Sequence, residues 1–256
     1  MENRIIPLYP TRTSEERSAF FSTFGIPHDS VDSLFTVTEG SDGEQSGCNV
    51  SRMHMTLHCG RPHLEVVAHV SSFAFPSKVS DALDSGFMEN TVLVTPEIET
   101  LEKSCEEYPV GSPEDLVISM RSLRTSLEGL GVLSCNSIII RVLSQYLPIN
   151  RGSGEIVDWP YLTVDAAKLL HTRFAHVRTN APSLEKQHSN GGMWSHCIFF
   201  GLDPLRTSRN HINLERRTVG ELFCVPDQVQ DGKYRMICPY LEVGLDCALT
   251  LPLLFP

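Results

Sequence analysis

The sequence predicts an α/β fold with mixed pairing, and three observations carry that reading. First, "LTVDAAKLLHTRF" has the marks of an amphipathic helix: Thr163 is a cap residue, Asp165 lies in the first turn, and Leu169 and Leu170 pack inward. Second, "SIIIRVL" (Ser137 to Leu143) has the β-branched density of a strand buried in a sheet. Third, strand-like and helix-like segments mix without a regular βαβ rhythm. That favours a mixed or antiparallel sheet core with flanking helices.

The other elements follow in chain order. "TSEERSAFFSTFG" has Glu15 and Glu16 in its first turn, then Phe20, Phe21 and Phe24, and stops at Gly25, the pattern of a short helix. "EGSDGEQSG" is a loop by composition. "NVSRMHMTLH" alternates, with Val50, Arg52, His54, Thr56 and His58 on one face of a strand and Met53, Met55 and Leu57 on the other. "TVLVTPE" (Thr91 to Glu97) predicts a short buried strand. "SPEDLVISMRSLRTSLEGLG" predicts a helix capped at Ser112, with Pro113 in its first position and glycines at its end. "HVRTNAPSL" predicts a strand and its exit, "SHCIFFGL" is apolar and fits either state, and "GELFCVPDQV" onward reads as strands and turns that close the domain.

Composition narrows the function. With 256 residues the chain can bury a substantial core. A net charge of -10 excludes a general nucleic-acid binder, because phosphate neutralisation needs clustered Lys and Arg. The short basic group at Arg216 and Arg217 reads as a solvated turn. The N-terminus carries charges at once and lacks the apolar core of a signal peptide, and no apolar run approaches the roughly 20 residues that span a bilayer. The expectation is a cytoplasmic protein with no membrane partner. Eight cysteines are present and no two form a C-x-x-C pair, so they are expected as free thiols rather than a zinc knuckle.

The chemistry concentrates in "HCGRPHLEVVAH", from His58 to His69. His63, Glu65, Val67 and His69 share parity, so an extended chain points them one way; His54 and His58 share parity on the preceding strand. Gly60 and Pro62 lie between and can turn the chain back, which aims His58, His63 and Glu65 at one point. Imidazole and carboxylate together suit zinc or manganese and leave room for water.

These residues resemble the signature H-x-G-T-H-x-D-x-P-x-H of the cyclase-like metal-dependent hydrolases, a family that includes bacterial-type kynurenine formamidase and isatin hydrolase. The chain departs from it in three ways: "GTH" becomes "GRPH", the aspartate is Glu65, and the proline is Val67. "WPYLTVDAAKLLHTRFAHVRTNAPSLE" is similar to the family's helix, strand and "D-x-P-S-L-D" segment, with Asn180 at an aspartate. "WSHCIFFGL" resembles its later "H-x-x-L-L" segment, and "VGLDCALTLPLL" its C-terminal "G-x-D" strand, with Asp246 at the aspartate. The likeness covers residues 48–256; residues 1–47 form a divergent N-terminal segment expected to pack on that domain.

The resemblance implies a swivelling β/β/α-type single domain, with one or two divalent ions, zinc or manganese. It implies His58, His63, Glu65 and His196 as metal ligands, and His69 as general base and acid or else as a ligand or a neighbour of one. A glutamate ligand of the family has no clear counterpart; His211, ahead of Glu215, stands nearest to it. The implied reaction is hydrolysis of an amide-type C–N bond, as in an arylformamidase (N-formylkynurenine to kynurenine and formate) or a cyclic-amide hydrolase. The substrate would be a small aromatic amide, with Phe73, Trp159 and Trp194 as candidate pocket walls, and the assembly a homodimer or higher homo-oligomer. The altered signature also admits a non-catalytic binding or scaffold protein of the same fold.

Overall fold

A computed structural model describes residues 88–147, 158–186, 193–201, 204, 217–238, 250 and 252–256, together with the backbone of strands at 6–7, 69–72, 240–241 and 247–249. The predicted helix at 13–25, the strand at 49–58 and most of the histidine cluster lie outside these residues.

Four parallel strands form the centre of a ten-stranded sheet: β3 (Met88–Val94), β6 (Ser137–Ile140), β8 (His176–Thr179) and β9 (Thr218–Glu221). Beyond β3 lie β10 (Gly232–Ile237), β13 (Leu253–Phe255) and β1 (Ile6–Pro7), each antiparallel to its neighbour. Beyond β9 lie β2 (His69–Ser72), β12 (Cys247–Thr250) and β11 (Tyr240–Leu241), also antiparallel. The sheet is therefore mixed, as the irregular rhythm of the sequence requires.

Chain length forces this sheet to curl. β12 and β13 are seven strand positions apart, which in a flat sheet is about 34 Å at about 4.8 Å per strand. Only Leu251 and Pro252 join them, a link that reaches about 10 Å. The two ends of the sheet must approach each other, and a contact across the seam shows that they do: Cys238 Sγ, just past β10, lies 3.1 Å from Thr250 Oγ1 of β12.

Each face of the curled sheet has its own core. One buries Leu93, Ile139, Phe223, Met236 and Leu254 together. The other packs Val92, Ile138, Ile140, Val177 and Val219 against the helices α2 (Met120–Leu127), α3 (Val164–Arg173) and α4 (Trp194–Phe199). All four residues of β6 are buried, as its β-branched run predicts. The α3 helix forms as the sequence reads: the Thr163 side chain accepts from Ala166 N.

The helix expected from Ser112 is shorter. Leu116–Ile118 is strand β5, in a small sheet between β4 (Glu99–Thr100) and β7 (Tyr161–Leu162), and α2 begins only after the Ser119 cap. Val117 and Ile118 are β-branched and buried, so pairing and packing outweigh the cap-like "SPED", which instead folds as a turn closed by Ser112 N on Asp115 Oδ2. The short helix α1 (Leu101–Ser104) follows β4. Arg217 also departs from expectation: it is half-buried, donates to the Phe174 carbonyl and stacks on Phe199.

The face that carries Met236 and Leu93 also buries polar residues of the central strands. Arg178, fully buried, pairs with Glu89 at 2.8 Å and donates to the backbone and hydroxyl of Thr218. His176 lies beside them, 2.9 Å from the same hydroxyl. Burial, together with the charges of Arg178 and Arg217, outweighs the attraction of Glu89 and lowers its pKa to about 4. Removing one partner of a buried pair leaves the other charge uncompensated. Glu89→Ala should therefore lower unfolding free energy by about 3–5 kcal/mol, measured by urea titration. His176 titrates near 6.5 when unfolded and near 4 when folded, so between those values the unfolded chain binds more protons. Its contribution to stability is present above pH 6.5 and is lost as pH falls toward 4, at up to about 1.4 kcal/mol per pH unit. His176→Gln should flatten the stability curve over that window relative to wild type.

Candidate metal centre

The carboxyl ends of parallel strands are where open α/β sheets gather their chemistry, because the strand exits leave a crevice there. Here that edge holds Glu221, the last residue of β9, and His196 of α4, both fully buried. His196 Nε2 lies 3.3 Å from Glu221 Oε1. The other ring nitrogen, Nδ1, lies 3.0 Å from Glu185 Oε1, which also accepts from the His196 backbone at 2.7 Å. The imidazole is thus held between two carboxylates.

Local sequence explains each placement. Past Glu221 the chain turns through Leu222, which is left-handed at φ 59. Leu222 N then bonds Ala181 O, and Phe223 N bonds Thr179 O, so the exit of β9 is stitched to that of β8. Glu221 Oε1 accepts from Leu184 N and Ser183 Oγ, both at 2.9 Å. Gly220 has to be small: a Cβ there would come within 2.4 Å of Arg178 Cδ. Ser195 fixes α4 by donating to the Leu162 carbonyl at 3.0 Å. Glu185 Oε2 accepts from the Tyr108 hydroxyl.

Asn180 secures the neighbouring strand exit. Its side chain accepts from Val142 N and donates to Val142 O, both at 2.7 Å. An aspartate could accept but not donate, which explains asparagine in "NAPSLE" on structural grounds alone. Asn180→Asp should cost about 1–3 kcal/mol in a denaturant titration, because a buried carbonyl would lose its donor and face a carboxylate.

Electrostatically the site calls for a cation. Burial works to lower the pKa of His196, but the Glu221 and Glu185 carboxylates outweigh it and hold the ring up at about 10. A cation at Nε2 would answer the same charge demand as the ring proton. Among the described residues Nε2 faces only the Glu221 carboxylate, at 3.3 Å, while Nδ1 is engaged by Glu185, an arrangement like that of metal-binding histidines. The donor set of His196 and Glu221 therefore fits a zinc- or manganese-type ion. Among the described residues, no three such donors converge as a complete metal site requires.

The sequence-predicted residues fall as follows. His58, His63, Glu65, His211 and Phe73 lie outside the described residues. His69 is placed by its backbone on β2, in register with Glu221 across the antiparallel pair. Directly opposed residues are the closest cross-strand neighbours, so the backbone of His69 lies beside that of Glu221. Trp159 is buried in the helix-side core and its indole donates to Glu185 O at 2.9 Å. Trp194 is half-buried against Leu101, Tyr108, Val117 and Tyr161. Sequence reasoning missed Glu221 and Glu185. Glu221 was signalled by a lone acid inside the apolar run "TVGELFCV", and Glu185 by its place at the final acid of the "D-x-P-S-L-D" pattern.

No protein-family model matches the chain, and no curated protein matches it in sequence. Solved structures do match. Isatin hydrolase A from Labrenzia aggregata, bound to benzyl benzoate, superposes with a TM-score of 0.52 at 11% identity, over 98% of this chain and 93% of that one. A potential metal-dependent hydrolase with cyclase activity superposes at 0.50 and 14% identity, over 74% and 78% of the two chains. Isatin hydrolase A from Ralstonia solanacearum superposes at 0.50 and 9% identity, over 73% and 70%. The chain has their fold. The mixed sheet with flanking helices, expected from the sequence, is this hydrolase fold, reached with little sequence in common. No helix among the described residues is long and apolar enough to cross a membrane.

Proposed function

We propose that the protein is a metal-dependent hydrolase of amide-type C–N bonds, with cyclic amides of the isatin type ranked first and arylformamides second. The observation that carries this reading is His196 held between Glu185 and Glu221, with Nε2 toward Glu221. The pairing of β2 with β9 adds support, because it brings His69 opposite Glu221. The fold shared with isatin hydrolases sets the ranking.

In this reading His196 and Glu221 supply two donors to a divalent ion, zinc or manganese, and His58, His63 and Glu65 supply the others. When bound, such an ion polarises a carbonyl and acidifies a water. The chain's own groups do the rest. Glu185 orients the His196 ring through Nδ1, and Ser183 and Leu184 N hold Glu221. His69 takes a proton from the attacking water and delivers it to the leaving nitrogen, a double role open to an imidazole. The substrate is a small aromatic amide, the protein acts in the cytoplasm, and it assembles as a homodimer or larger homo-oligomer.

Untagged protein should hold divalent metal near stoichiometrically and should hydrolyse isatin, or N-formylkynurenine if the second ranking holds. His69→Ala should keep the metal and lose roughly 100-fold or more in kcat. Metal-free protein with no turnover after zinc or manganese loading would leave a binding or scaffold role on the same fold.

A further inference from the structure

Tyr108 stands outside every motif of the sequence, yet its hydroxyl ends a chain of contacts that begins at the metal centre. Glu185 has two oxygens with separate tasks. Oε1 takes the backbone N–H and Nδ1 of His196, and Oε2 takes the Tyr108 hydroxyl. The His196 backbone N–H and the Tyr108 hydroxyl donate to different oxygens, so the carboxylate is gripped at both ends and its rotamer is fixed. Oε1 lies 3.0 Å from Nδ1, so this side of the ring is the one Glu185 engages. Nε2 is left as the nitrogen that faces Glu221, at 3.3 Å.

The Tyr108 ring is itself held from behind. It packs on Tyr161, centroids 4.5 Å apart, within the buried cluster of Leu101 and Val117. The Tyr161 hydroxyl donates to Asp115 at 2.8 Å, and Asp115 pairs with Lys186 at 2.6 Å. Gly111 leaves room for this arrangement, because a Cβ there would come within 2.9 Å of the Tyr161 hydroxyl. The small sheet β4–β5–β7 thus backs the centre with a rigid wall, and Tyr108 is the contact through which that wall reaches Glu185.

We infer that Tyr108 is a positioning residue: through Glu185 it sets His196 as a metal donor by Nε2. This rests on the metal-centre reading above. Losing such an outer partner weakens metal binding by roughly 10–100-fold in other sites.

The test compares Tyr108→Phe with Tyr161→Phe in the full chain. Each removes one hydroxyl from the same aromatic pair, but only Tyr108 touches Glu185. Zinc affinity is read by competition with a chromophoric chelator, the visible spectrum of the cobalt(II)-loaded protein reports donor geometry, and thermal melting reports the fold. The expected result is a roughly 10-fold or greater loss of zinc affinity and an altered cobalt spectrum for Tyr108→Phe, with Tyr161→Phe close to wild type. Equal affinity of Tyr108→Phe and wild type overturns the inference while leaving the metal reading intact. An equal loss in both variants also overturns it, because the wall would then matter only for folding. Wild-type protein that takes up no zinc or cobalt removes the metal reading itself. Should Tyr108→Phe not fold, Glu185→Gln carries the same comparison: its amide group cannot accept at every donor that Glu185 now serves, so the same zinc loss is expected and wild-type affinity overturns the inference.

Discussion

The short link between β12 and β13 is the constraint from which the rest of the arrangement follows. Two residues cannot span a flat sheet of this width, so the sheet curls until Cys238 meets Thr250. Curling separates an interior face from a helix-covered face. Alternate residues of β9 then serve opposite purposes: Gly220 yields space to Arg178 on one face, while Glu221 meets His196 on the other. A register slip of one residue would exchange these roles and place a carboxylate against Phe223. Arg178 works against such a slip, because it pairs with Glu89 of β3 while donating to the backbone and hydroxyl of Thr218 in β9.

Much of this was legible in the sequence. The Thr163 cap, the β-branched run at Ser137 and the absence of a βαβ rhythm led to α3, β6 and a mixed sheet because each depends on local propensity or on a face-by-face pattern. The "SPEDLVI" segment misled for the opposite reason. Its cap-like start is a local signal, whereas β5 is a strand through its partners β4 and β7, one of them more than forty residues away. Long-range pairing of that kind leaves little trace in a window of ten residues.

The centre was legible in part. His196 stood out through the likeness of "WSHCIFFGL" to the family's "H-x-x-L-L" segment. Its two carboxylates did not, since Glu185 lies 11 residues before it and Glu221 far after, and nothing in one dimension shows that two strand exits and a helix meet there. The sequence points to His211 because it precedes "INL" as the family's glutamate precedes its "N-L", and it lies outside the described residues. In three dimensions spacing along the chain is irrelevant, because the exits of β8 and β9 are neighbours whatever the loop between them does.

The surroundings of His196 are built from backbone as much as from side chains. Leu184 N and His196 N each hold a carboxylate, Leu222 N and Phe223 N tie one strand exit to the next, and Asn180 clamps Val142 through its backbone groups. Arg141 does the same for the turn that follows, donating to the carbonyls of Pro226, Asp227 and Val229. Backbone groups are available at every residue except proline nitrogen, so most of the supporting residues could change without loss of the frame. The groups around His196 that backbone does not supply are its imidazole, the Glu185 and Glu221 carboxylates, and the Tyr108 hydroxyl on Glu185. A chain at 9–14% identity to the isatin hydrolase and cyclase structures can therefore keep their fold, with its own chemistry concentrated in a few buried side chains at the strand exits.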